Sequence, residues 1–237
     1  MGIMVSSESD GSEQIMRRLA RGDRYNAAEH QLLFEKPRLT RVFAAGATVG
    51  QLQRSVFVSS GWLGRTVFFP DGRSQTLSVL IPGDLITEMR ERRPLHEVSL
   101  VAISQARLAD AAPLKDIVFE HSDIFPHLSR DIEQAERQET SRLLDQLIRL
   151  GSQQGTQRLA SLLLELFGRC WRKGLAGKHS FPMPLSLSTL ASCLGVSEVH
   201  ASRLMRRFRD DGIFRLRSGV ATITDLPGLM RLASEHV

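Results

Sequence analysis

Val199, Arg203 and Arg206 stand at i, i+4 and i+7 in the stretch EVHASRLMRRFRD, while Ala201, Leu204, Met205 and Phe208 recur at the spacing of a buried helical stripe. A helix with an apolar back and a guanidinium-bearing front presents rigid forks of N–H donors. Those forks match phosphate oxygens and the O6/N7 edge of guanine, so the chemistry indicated is recognition of duplex nucleic acid rather than bond making. Charge distribution points the same way. Residues 151–237 hold 12 of the 31 Lys and Arg but 6 of the 26 Asp and Glu, a surplus of +6 against −1 for residues 1–150.

Such a face works only if a second element holds it out from the body, and the segment before it supplies one. From Leu185 to Arg207 the chain reads LSLSTLASCLGVSEVHASRLMRR. Leu190 and Leu194 suit the core side of a first helix, Ala191 is small where two helices cross closely, and Gly195 takes the left-handed conformation of the turn at low cost. Val196 plugs the turn and Ser197 caps the next helix through its hydroxyl. The pattern predicts a helix-turn-helix near residues 187–207 with a reading helix at about 197–210.

Val199, Arg203 and Arg206, flanked by Glu198 and Ser202, are expected to reach the major groove. Arg203 suits a bidentate contact to guanine, Glu198 a cytosine amine and Val199 a thymine methyl. His200 lies toward the side, nearer Arg207, as a solvent- or phosphate-facing residue. Arg207 and Arg209 suit phosphates, which position without specifying sequence. Two alternating runs, Ile213–Arg217 and Val220–Ile223, surround the tight turn Ser218-Gly219 and predict a wing with Arg217 at its tip, within reach of a neighbouring phosphate.

The elements upstream differ in texture. Residues 1–14 are Ser/Glu/Asp-rich and are expected to be flexible, followed by short helical stretches at Ile15–Leu19 and Ala27–Glu35. From Leu39 to about Ala111, short apolar or alternating runs are divided by turn signals such as Pro70-Asp71-Gly72 and Pro82-Gly83-Asp84, predicting an antiparallel roll of roughly eight strands. No Pro or Gly occurs between Pro126 and Gly151, and Leu128, Ile132, Ala135, Leu143, Leu147 and Leu150 recur at helical spacing, interrupted by Glu139. One long helix is expected, its stripe covered either by the roll or by a second copy of the chain; pairing of two chains through 127–150 is the favoured expectation. Leu159, Leu162, Leu163 and Leu166 mark a further helix. The fold class is α+β, with a β-roll domain at 15–126, a dimerisation helix at 127–151 and a winged helix-turn-helix domain at 152–237.

No run approaches the roughly 18 apolar residues of a membrane span, and the N-terminus lacks a basic-then-apolar signal, so a cytoplasmic home is expected. Cys170 and Cys193 form no CxxC and no group with histidines, and read as small apolar residues.

With these motifs in place the sequence resembles the Crp-Fnr family of bacterial transcription regulators. The resemblance rests on GWLGRTVFFPDGRSQTLSVLIPGDL at 61–85, the long helix at 127–150, TQRLASLLLEL at 156–166 and LSLSTLASCLGVSEVHASRLMRRFRDDGIF at 185–214. It implies a homodimer that binds a palindromic operator and contacts RNA polymerase as an activator or a repressor. Family members that bind cyclic AMP carry Gly-Glu and a downstream Arg-Ser after the PGD turn. Here those positions read Thr87-Glu88 and His96-Glu97, and a carboxylate beside a phosphate repels it. The cysteines of the iron–sulfur members are missing before Cys170, and no pattern marks an axial haem ligand among His30, His96, His121 and His127. No cofactor is expected, and the effector is unidentified. Ser202-Arg203 match the Fnr-like reading pattern, with Val199 where a glutamate usually stands. Two other classes compete. A cupin-like metal enzyme also begins with a β-roll, but needs clustered histidines where only His96 occurs, and neither G-x-S-x-G nor a phosphate loop is present. An interaction module without DNA binding would share the fold but show no salt-dependent affinity for duplex.

Overall fold

A computed structural model of the chain describes residues 26–29, 32, 40–50, 55–86 and 98–234. The expectations for residues 1–14, for Ile15–Leu19 and for the segment Thr87–Glu97 lie outside the described residues. The chain divides into two compact units, Met1–Phe68 with Val79–Arg142, and Phe69–Ser78 with Leu143–Val237.

Among the described residues, eight strands lie between Thr40 and Asp110, where the turn signals placed them. They are β1 (Thr40–Phe43), β2 (Thr48–Gly50), β3 (Val56–Ser60), β4 (Leu63–Phe68), β5 (Ser74–Leu80), β6 (Leu85–Ile86), β7 (Val98–Ala102) and β8 (Ala106–Asp110). They form two four-stranded sheets, ordered β1-β8-β3-β6 and β2-β7-β4-β5. Val58 stands opposite Leu108 in one sheet and Arg65 opposite Leu100 in the other, each in an antiparallel pair. Val58, Leu63, Leu80, Ile86, Leu100 and Leu108, drawn from both sheets, make a fully buried core. Gly61 turns β3 into β4 at φ +77°, and a Cβ there would fall 2.0 Å from the Gln105 carbonyl oxygen. No larger residue fits that crossing.

Two helices follow, α1 (Ala112–Glu120) and α2 (Pro126–Ser152). Leu32, Leu85, Val118, Phe125, Leu128 and Ile132 form a second core beneath them. Glu29, fully buried, fastens the start of α2: its carboxylate accepts from the backbone N–H of His127 at 2.7 Å and of Leu128 at 3.0 Å, and from His127 Nδ1 at 3.0 Å. These are first-turn donors with no partner inside the helix. Burial works against the charged carboxylate, but the bonds from Asn26, Leu128 and His127 outweigh it and hold the Glu29 carboxyl below its ordinary value.

The interruption of the α2 stripe at Glu139 has a structural cause. Glu139 is buried and pairs with Arg65 of β4 at 2.8 Å and with Arg142 one turn on, while Arg142 lies 3.9 Å from Asp84 in the turn before β6. Two guanidinium groups and two carboxylates thus neutralise one another inside the first unit.

The two ends of α2 differ. Leu128 and Ile132 are buried in the core of their own unit and Ala135 packs against it, so the first half of the stripe is covered from within. In the second half, Leu144, Leu147 and Ile148 are 55%, 68% and 59% exposed. Among the described residues, these three are the large apolar side chains that α2 leaves exposed, all in its last turns.

Candidate nucleic-acid interface

The second unit is built on α3 (Gly155–Arg172), whose Leu159, Leu162, Leu163 and Leu166 are buried as their spacing required. A capping box opens it: Gln154 caps the backbone at Gln157, and the Gln157 side chain returns to Gln154. Then come β9 (Ser180–Pro182), α4 (Leu187–Leu194), α5 (Glu198–Asp210), β10 (Phe214–Arg217), β11 (Val220–Ile223) and α6 (Leu226–Ser234).

The turn and the caps of the motif take the conformations expected of them. The Ser186 hydroxyl caps α4 by accepting from Thr189 N–H at 3.0 Å, and Leu190, Ala191, Cys193 and Leu194 are buried. Gly195 ends the helix in the left-handed region at φ 63°, ψ 40°, and Val196 N–H returns to the Ala191 carbonyl at 3.1 Å. Ser197 caps α5, accepting from His200 N–H at 3.2 Å, with Glu198 in the first turn where the helix dipole favours an anion. Ala201, Leu204 and Phe208 are buried and Met205 is half-buried. The Cys193 thiol is pushed up to about 12, first by burial, with a hydrogen bond from Thr76 acting the other way. It therefore stays protonated and packs as an apolar group.

Opposite that stripe, Glu198, Val199, Arg203, Arg206, Arg207 and Arg209 are exposed and Ser202 is half-buried, with Val199 open at 62%. The four arginines fall into two pairs. Arg207 Nε lies 3.5 Å from Asp211 and Arg209 3.1 Å from Asp210, whereas among the described residues Arg203 and Arg206 make no ion pair. His200 turns elsewhere: its Nε2 would lie 2.8 Å from a Cβ placed on Gly155, so the ring stands against the start of α3. At the wing, Arg217 pairs with Val220 across Ser218-Gly219, and both turn residues have positive φ (48° and 74°), the signature of a type I′ hairpin. Arg217 is exposed at that tip.

Sequence reasoning missed two features of this unit. The wing has a third strand, since β11 also pairs with β9, whose Phe181 is buried against Phe167 at 5.7 Å between ring centroids. Its signal was slight, one aromatic residue before Pro182. The other is a set of polar side chains that close off the end of α4. Gln75 Nε2 donates to the Ser192 carbonyl at 2.5 Å, Gln146 Nε2 to that of Cys193 at 2.7 Å, and Arg158 Nη1 to that of Leu194 at 3.0 Å. These carbonyls lack helical partners, so the first helix of the motif is held from three directions.

Residues 157–232 match the Crp-like helix-turn-helix domain. Over 192 residues the chain is 27% identical to the transcriptional regulatory protein btr of Bordetella pertussis, covering 81% of this chain and 73% of that protein. It is 24% identical over 195 residues to the anaerobic regulatory protein of Haemophilus influenzae, covering 82% and 74%. In fold it is similar to FixK2 from Bradyrhizobium japonicum, with TM-score 0.68 at 19% identity over 84% of this chain and 99% of that one. A CooA mutant from Carboxydothermus hydrogenoformans gives TM-score 0.64 at 18% identity over 98% of both chains.

Proposed function

We propose, on the premise that this chain is a DNA-binding transcription regulator of the Crp-Fnr family, that it works as a homodimer seated on a palindromic operator. One observation carries the reading: α5 stands on a glycine turn with its apolar stripe buried and with Arg203 and Arg206 exposed and, among the described residues, free of ion pairs. An exposed guanidinium on a rigid helix is a donor fork whose acceptor lies outside the chain.

In this reading Arg203 makes the bidentate contact to guanine. Arg206, Val199, Glu198 and Ser202 contribute to the groove face, with Val199 suited to a thymine methyl. Arg207, Arg209, Arg217 and the Ser197 end of α5 meet phosphates, with Arg207 and Arg209 exchanging their aspartates for the backbone. His200 contributes by steadying α5 against Gly155. Dimerisation uses Leu144, Leu147 and Ile148, and two-fold symmetry then sets the operator half-sites about 34 Å apart. Contact with RNA polymerase and a cytoplasmic location follow from the regulator role; for the described residues, no helix is long and apolar enough to cross a membrane. The relatives, all named as regulators, favour this reading over a metal enzyme or an interaction module.

Selection from a pool of random duplexes tests it. The expected product is an inverted repeat with centres one helical turn apart, bound by two chains with an affinity that falls steeply with salt. Enrichment of no sequence, or of a single unrepeated site bound by one chain, overturns the proposal.

A further inference from the structure

Ser192 meets the segment Ser74–Thr76 in a way that the helix-turn-helix motif does not require. Among the described residues β5 is the last strand in its sheet order, so one side of it faces away from the other strands. The Ser192 hydroxyl stands at that side, accepting from Thr76 N–H at 2.8 Å and donating to the Ser74 carbonyl at 3.1 Å, with Thr76 Oγ1 a further 3.0 Å contact. Gln75, between them, binds the Ser192 carbonyl. One serine thus replaces a stretch of strand, bridging the i and i+2 backbone groups of an edge while its own carbonyl is capped in return.

These contacts leave the reading face untouched. They fall on the last turn of α4, and a groove of about 550 Å³ separates Phe69, Gly72 and Arg73 from Ser197 and Glu198 at the start of α5. Val199, Arg203 and Arg206 remain exposed. We propose that Ser192 is a positioning residue for DNA recognition: by tying the end of α4 to the edge of β5, it fixes the Gly195 turn and so the direction in which α5 presents its arginines. The inference rests on the DNA-reading role of α5. A residue of this kind raises affinity by preorganisation without contacting DNA, so its loss weakens all sequences alike and leaves the count of phosphate contacts unchanged.

The test uses the full chain with Ser192→Ala, Ser192→Thr and Gln75→Ala, with thermal denaturation verifying that each is folded. Ser192→Ala is expected to weaken binding to matched and singly mismatched operators by the same factor, roughly five- to tenfold, the worth of one hydrogen-bonding group. The slope of log affinity against log salt stays as in the wild type, and the Thr76 amide exchanges its hydrogen faster. Ser192→Thr, which keeps the hydroxyl, restores most of the affinity, and Gln75→Ala shows a smaller loss in the same direction. Unchanged affinity despite faster Thr76 exchange overturns the proposal, as does a loss confined to one base pair. Tighter binding overturns it too, because the segment would then be an obstacle. A wild-type chain that binds no duplex overturns the DNA reading itself, whereas duplex binding indifferent to Ser192 overturns this inference alone.

Discussion

Two sets of arginines, one inside the first unit and one on the outer face of α5, are used in opposite ways. Arg65 and Arg142 are about nine-tenths buried and lie against Glu139 and Asp84; Arg203 and Arg206 are exposed and make no ion pair among the described residues. A buried guanidinium without its carboxylate is destabilising by several kcal/mol, so the first pair is bound to structure. An exposed guanidinium costs the fold almost nothing and is available to an external anion. Residue type alone therefore says little about function in this chain; the presence or absence of an internal acceptor says much more.

The contrast is broken most forcefully at Glu139. Glu139→Ala leaves Arg65 and Arg142 buried without the carboxylate between them, and the expected loss is about 3–5 kcal/mol in chemical denaturation. Arg203→Ala in the same assay is expected to fall within about 0.5 kcal/mol of the wild type. Comparable losses for the two would erase the distinction between the two sets of arginines.

The next effect concerns the two halves of α2. Leu147→Asp places a carboxylate in the exposed seam, and sedimentation is expected to show monomers whose operator affinity is about a hundredfold weaker through lost avidity. A dimer that persists would put the chain-to-chain surface elsewhere.

A smaller effect is expected at the start of α2. The Glu29 carboxyl sits below its ordinary value, so the stability it contributes is fully present above that value and is lost as pH falls through the lowered one. Unfolding measured from about pH 6 down to pH 3 should show this loss in the wild type, while Glu29→Gln should be about 1–3 kcal/mol less stable near neutrality and less sensitive to acid. An identical acid dependence in both would assign the loss to other carboxylates.

Much of the reading unit was legible because its constraints are local. Ala191, Gly195 and Ser197 were expected from a helix crossing, a left-handed residue and a cap, all within seven residues; Ala191 is buried, Gly195 is left-handed and Ser197 caps α5. The roll was legible from turn chemistry, as at Gly72 and Gly83, both at positive φ. What stayed hidden depends on distant partners. Periodicity gives the width of the α2 stripe but not what covers it, and Leu128 and Leu147 look alike until Leu128 finds its core. Glu139 reads as a flaw in that stripe until Arg65, 74 residues earlier, is placed beside it. The bonds from Ser192 to Ser74 and Thr76 span 118 and 116 residues, and no pattern in either segment announces the other. The pairing of Arg207 and Arg209 with Asp211 and Asp210 lay in plain view as neighbouring residues. Helical spacing alone does not separate these arginines from Arg203 and Arg206.

The most direct test of the account is a double-mutant cycle between Arg203 and the base pairs of the selected operator. With Arg203→Ala, affinity is expected to fall by about 1–3 kcal/mol on the intact operator and to become indifferent to one particular G·C pair, while Arg207→Ala weakens every operator alike and lowers the salt slope by about 1. If discrimination at every base pair survives Arg203→Ala, the face of α5 that carries Arg203 does not read DNA and the central claim is wrong.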